Sequence, residues 1–234
     1  MRPLWIGLLA ILLVGSCARS PAPVIVPVRS SPAARSAVIN PANIKRVARE
    51  LPPGYEVGSD VPEGAPPRAL WHLGAGATAT PARCATLADP GDGRDQFAQG
   101  VSGSGAGGIV NAVVVSVPSG PVIVDDSVVA ECAQWTMSDG STRANVELVE
   151  APRIEGARTL GMVARVRTPV EAGTEIDSQT YTFTAYLGDY YCVHRSDHRP
   201  GFGAAAAAAA AAAVRRGSAG QNGGNVTKLT FRVG

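Results

Sequence analysis

The sequence predicts an α+β domain: an antiparallel β-sheet with a few short helices packed on it. Three observations carry this. Residues 109–117 read Ile-Val-Asn-Ala-Val-Val-Val-Ser-Val, dense in the β-branched residues that suit a pleated strand. Residues 134–137 and 143–150 read as two strands joined around Asp139-Gly140, a hairpin signal. Every helical stretch is short and is soon stopped by Pro or Gly.

In chain order, Asn40-Pro41 opens the first helix: Asn caps, and Pro is preorganised for the first turn. Ile44, Val47, Ala48 and Leu51 then make one apolar face, and Pro52-Pro53-Gly54 ends it. Residues 55–80 are punctuated by Gly and Pro and read as loop, with Leu70-Trp71 as a core anchor. A short helix over Pro81–Ala88 carries Cys84 and stops at Asp89-Pro90-Gly91. After the strand at 109–117, Asp125 or Asp126 caps a helix through Val128, Val129 and Cys132. Residues 159–170 and 178–187 alternate as two more strands, turning at Glu171-Ala172-Gly173. The count is about five strands and three short helices.

Ahead of this domain lies an export signal. Arg2 precedes an apolar run from Leu4 to Val14, followed by small residues. The run is shorter than the ~20 residues a membrane-spanning helix needs. Val14-Gly15-Ser16-Cys17 resembles the bacterial lipobox, in which the thiol accepts the lipid and the Cys becomes the mature N-terminus. The expected organisation is a signal peptide over 1–16 and a lipidated N-terminus with a Pro/Ser/Ala-rich tether over 17–37. The domain follows over 38–190 and an atypical tail over 191–234. Membrane attachment through Cys17, facing the periplasmic or extracellular side, is the expected localisation.

The chain of 234 residues has a formal net charge of +2 and no Lys/Arg stripe interleaved with aromatics, so no nucleic-acid partner is expected. Beyond Cys17 the cysteines are Cys84, Cys132 and Cys192; an oxidising compartment implies one disulfide and one cysteine left over.

Several segments together resemble mycobacterial surface lipoproteins that carry a domain of unknown function, related to the extracellular sensor domain of a receptor serine/threonine kinase. The carriers are Ile39-Asn40-Pro41-Ala42-Asn43-Ile44, Glu50-Leu51-Pro52-Pro53-Gly54-Tyr55-Glu56 and Ala69-Leu70-Trp71. Cys84 to Pro90, Glu131-Cys132-Ala133-Gln134-Trp135-Thr136 and Phe183 to Asp189 continue the likeness, which runs from about residue 38 to 190. The resemblance implies a helix-backed antiparallel sheet with a cleft, a disulfide between Cys84 and Cys132, and no enzymatic activity. That disulfide would close a loop of roughly fifty residues, worth ~2–4 kcal/mol.

Beyond Asp189 the character changes. Residues 191–199 lack apolar periodicity, hold His194, His198 and the misfit Cys192, and lead to an unbroken alanine run, Ala204–Ala213. The family ends instead with a strand, an Asp-Pro-Gly turn and an amphipathic helix. A one-nucleotide frameshift near Tyr191 is therefore expected, since the shifted frame permits that strand, turn, helix and a stop. The alternative is a native variant tail, in which the alanines could form a short helix.

The chemical motifs mostly fail. Gly103, Gly105 and Gly108 match G-x-G-x-x-G, but a β-branched run follows where a dinucleotide site needs a helix. Cys192, His194 and His198 have zinc-like spacing without a fourth ligand. Ser119-Gly120 makes no nucleophile elbow, paired Asp125-Asp126 suits helix capping, and the sequon Asn225-Val226-Thr227 has no meaning in a bacterial chain. Trp71, Trp135, Tyr181, Phe183 and Tyr186 could line a cleft, although such alternation suits packing. No catalytic residue, metal or cofactor is expected. The reading is a non-catalytic domain that binds an unidentified envelope ligand or protein. One rival is a structural lipoprotein without a pocket. The other is a hydrolase using His72, which would need a nucleophile beside it.

Overall fold

The computed structural model describes residues 39–51, 53–59, 61, 65–170, 173–197 and 211–212. The signal segment, Cys17, the tether, His198, the sequon and most of the alanine run lie outside the described residues.

Among the described residues, nine strands make one antiparallel sheet. They are β1 (Glu56–Gly58), β2 (Thr78–Thr80), β3 (Phe97–Gly105), β4 (Gly108–Ser116), β5 (Gln134–Asp139), β6 (Thr142–Val149), β7 (Arg158–Pro169), β8 (Glu175–Tyr186) and β9 (Tyr190–Ser196). The order across the sheet is β1-β3-β4-β9-β8-β7-β6-β5-β2. Helices α1 (Pro67–Leu70), α2 (Ala85–Ala88) and α3 (Asp126–Glu131) are one or two turns long, and Pro41–Glu50 and Ala82–Cys84 are 3-10 helices. The domain is α+β, with the sheet dominant.

Two long strands had no expectation against them, and each has a physical reason. β3 is hidden by its glycines. A Cβ at Gly103 would fall 2.6 Å from Leu51, and one at Gly105 would fall 2.7 Å from Tyr55, so bare backbone is what lets those side chains lie flat on the sheet. The same glycines run strand to turn to strand into β4, which rules out a dinucleotide loop. β9 is hidden because it is covered on both faces and so shows no alternation: Tyr191 to Ser196 are all buried. The edge strands β1 and β2, three residues each, fall in the stretch read as loop.

β9 corrects the expected domain boundary at residue 190. As read, Tyr190–Ser196 supply the strand that the frameshift expectation drew from another frame, pairing with β4 on one side and β8 on the other. Ladder hydrogen bonds come from the backbone, so polar side chains do not prevent the pairing. Ala211 and Ala212 are helical, and Ala211 is buried in the same cluster as Ile44, Val114 and Cys192. Ala211 therefore packs onto the domain.

The sheet has two unlike faces. On one, the main core joins Val113, Val115, Tyr191, Val193, Met162, Val146 and Trp135 to Trp71, Leu87 and Val128 from the helices. Trp71 is the anchor its position suggested: it is fully buried, and its indole N–H donates to Thr182 Oγ1 at 2.8 Å. Cys84 and Cys132 form the disulfide that the family resemblance implied, with Cα atoms 5.7 Å apart, holding α3 against Ala82–Cys84. On the opposite face the first 3-10 helix, capped by Asn40 as expected, lays Ile44 and Val47 over Val101, Ala112 and Val114.

A polar clamp ties four neighbouring strands. Asn111 (β4) donates to Ser102 (β3) at 2.9 Å, and Arg195 (β9) donates to Asn111 Oδ1 at 3.4 Å and to Asp197 at 2.7 Å. Thr180 (β8) donates to the same carboxylate at 3.2 Å. The Arg195 side chain is only 7% exposed. Asp197→Ala would strand this guanidinium in the interior, and urea unfolding should show a loss of roughly 3 kcal/mol. A loss within the scatter of surface substitutions would mean that the clamp is dispensable.

Candidate functional site

One face is uncovered over β5, β6, the end of β7 (Arg165–Pro169) and the start of β8 (Glu175–Tyr181), whereas Leu160–Ala164 and Thr182–Tyr186 are buried on both faces. Burial along β5 and β6 alternates strictly over most of their length, the mark of a strand with one face in water. The uncovered face carries side chains in register across four strands. One row runs Ser138, Arg143, Arg167, Asp177; the next runs Thr136, Asn145, Arg165, Gln179. These rows line an open trough of about 470 Å³. A second hollow shares Thr136, Asn145 and Arg165 with it and extends it towards Gln134 and Glu147. The cleft is therefore polar.

Its charges are unevenly matched. Arg167 contacts Asp177 at 3.0 Å and Glu175 at 3.3 Å, and this hydrogen bond and the two carboxylate charges hold its pKa above the ordinary guanidinium value. Arg165 reaches Glu147 only at 3.5 Å. Arg143 makes no ion pair or side-chain hydrogen bond among the described residues, although it lies directly across from Arg167.

The residues singled out from sequence fall elsewhere. Trp71, Trp135 and Tyr186 belong to the main core, and Phe183 is buried. Of the five, only Tyr181 is not buried, its hydroxyl accepting from Gln179 Nε2 at 2.7 Å. His72 is exposed, with a positive φ of 62° at the end of α1, and no nucleophile hydrogen-bonds to it among the described residues. Asp125 caps α3 by accepting from Ser127 N at 2.7 Å, and hydrogen bonding from Ser127, through its hydroxyl first and its backbone N–H second, lowers its pKa. Among the described residues no three of His, Cys, Asp and Glu are placed to hold a metal. Cys192 and His194 do share a face of β9, but buried. The trough residues escaped the sequence reading because none belongs to a motif. The available signal was Arg143-x-Asn145-x-Glu147 beside Arg165-x-Arg167, polar halves of alternating strands.

His194 is 1% exposed, and neither ring nitrogen has a hydrogen-bond partner among the described residues. Burial pushes its pKa down to about 4, from 6.5 when exposed.

Fold and face define a class: a sheet-dominated α+β domain with an apolar cluster on each face of the sheet and a solvent-open polar trough. The chain belongs to the family defined by the domain of unknown function DUF5642, whose model matches residues 40–226. The family resemblance carried by residues 38–190 stands, and the match runs on into the tail. An uncharacterised protein of Mycobacterium smegmatis, an ortholog of Rv0999, has a similar structure (TM-score 0.58, 23% identity, covering 76% of this chain and 98% of that one). The extracellular domain of PknH from Mycobacterium tuberculosis is a more distant match (TM-score 0.43, 12% identity, covering 77% and 94%). No curated protein matches the chain. No helix of the described residues is long and apolar enough to cross a membrane.

Because folding lowers the His194 pKa, the folded state disfavours the proton. Folding is not opposed by this proton above pH ~6.5, and stability falls by roughly 3 kcal/mol as pH drops from there towards about 4. His194→Leu should raise stability at pH 7 and flatten urea midpoints between pH 6.5 and 4. An unchanged pH profile would contradict the burial.

Proposed function

We propose that this is a non-catalytic binding domain, held at the outer side of a membrane by the lipidated Cys17, which takes an envelope ligand in the polar trough on β5–β8. The trough itself carries the reading. Polar rows in strand register line a concave surface, and nothing in the core requires Arg143, Asn145 or Gln179 there. The apolar run from Leu4 to Val14 ahead of Val14-Gly15-Ser16-Cys17 supports export and anchoring. A structural lipoprotein would need no such hollow, and a hydrolase would need a partner for His72.

Two measurements test the reading. Cys17→Ala should release the chain from the membrane fraction and abolish labelling by palmitate; retention with undiminished label would reject the anchor. A thermal-shift screen with envelope lipids and neutral and charged glycans should find a stabilising class. A ligand at 100 times its Kd adds ~2.7 kcal/mol, about 5–10 °C for a domain of this size. No stabilisation by any class would overturn ligand binding.

A further inference from the structure

The geometry points to a phosphate ester of a sugar or polyol as the ligand of the trough, with Arg143, Arg165 and Arg167 on the phosphate and the amide and hydroxyl rows on the polyol. This rests on the binding role proposed for the same face.

The arginines carry the first half. Arg143 and Arg167 are directly opposed on neighbouring strands. Like charges so placed, with Cβ atoms about 5 Å apart, repel each other. The carboxylates are unevenly shared: Asp177 and Glu175 lie against Arg167, Glu147 reaches Arg165 only at 3.5 Å, and Arg143 has no anion of its own among the described residues. Arg165 projects from the same strand and face as Arg167, two residues along. An anion seated between the three would relieve the repulsion. A planar carboxylate fills one guanidinium fork, whereas a phosphate offers several oxygens in different directions and can be shared by three.

The polar rows carry the second half. Thr136, Ser138, Asn145 and Gln179 line the trough with hydroxyl and amide groups that both donate and accept. Tyr181, hydrogen-bonded to Gln179, continues the polar side on β8. Four strands about 4.8 Å apart make a field roughly 14 Å wide, enough for one or two sugar rings beside a phosphate. Such esters occur both on membrane lipids and on phosphorylated glycans, and the chemistry is shared.

The test is an equilibrium titration of the full-length chain in neutral detergent. Glucose 1-phosphate should bind saturably, glucose about tenfold more weakly, and Arg143→Gln should cost about tenfold in the ester's affinity. Asn145→Ala should weaken the ester and leave inorganic phosphate unchanged. Both substitutions are on exposed side chains, and an unaltered thermal midpoint confirms an intact fold. Flotation of the Cys17→Ala chain, which carries no lipid anchor, with phosphatidylinositol vesicles over phosphatidylcholine ones would assign the source to lipid. Ester binding without flotation would assign it to a glycan; either supports the assignment. Absence of saturation, indifference to Arg143→Gln, or glucuronate binding as tightly as the ester would overturn it. Stabilisation by neutral glycans alone would remove this assignment and leave the binding role standing.

Discussion

Everything in the sheet depends on the insertion of β9 between β4 and β8. Without it β1, β3 and β4 would share no ladder with the meander of β5 to β8. Backbone pairing on both sides joins the halves, and the clamp of Ser102, Asn111, Arg195, Asp197 and Thr180 fixes the register where they meet. Register matters acutely here, because a slip of one residue would turn Tyr191 and Val193 out of the main core and drive His194 into it.

The insertion carries a cost that the side chains record. A central strand covered on both faces calls for apolar residues, yet β9 offers His194 and Arg195. Arg195 recovers part of its desolvation through Asp197 and Asn111, while both nitrogens of His194 are without partners among the described residues. This is the local conflict that made residues 191–197 look foreign to the domain: the side chains argue against a strand, and the backbone forms one.

Legibility from sequence followed the same logic. Strands with one wet face were readable, since the alternation that defines β5 and β6 is also what keeps one side soluble. The helix cap at Asn40, the Trp71 anchor and the turn at Asp139-Gly140 were readable because each is a local device. The two strands flanking β4 were not. β3 gives up side chains so that Leu51 and Tyr55 can lie on it, and β9 gives up periodicity because it is enclosed. The trough was invisible for a different reason. Its residues are gathered by cross-strand register, and register is set by turns and core far from any one of them.

The order of the strands also separates the molecule in time. The meander β5–β8 is assembled from neighbours in the chain, whereas β9 must find β4 across the whole length of that meander. Closing so long an excursion is slow compared with forming hairpins. Until it happens, β4 and the free side of β9, which forms a local hairpin with β8, each present a bare ladder edge of the kind that invites pairing with another chain. The span during which those two edges wait for each other is therefore when the protein is most exposed to aggregation.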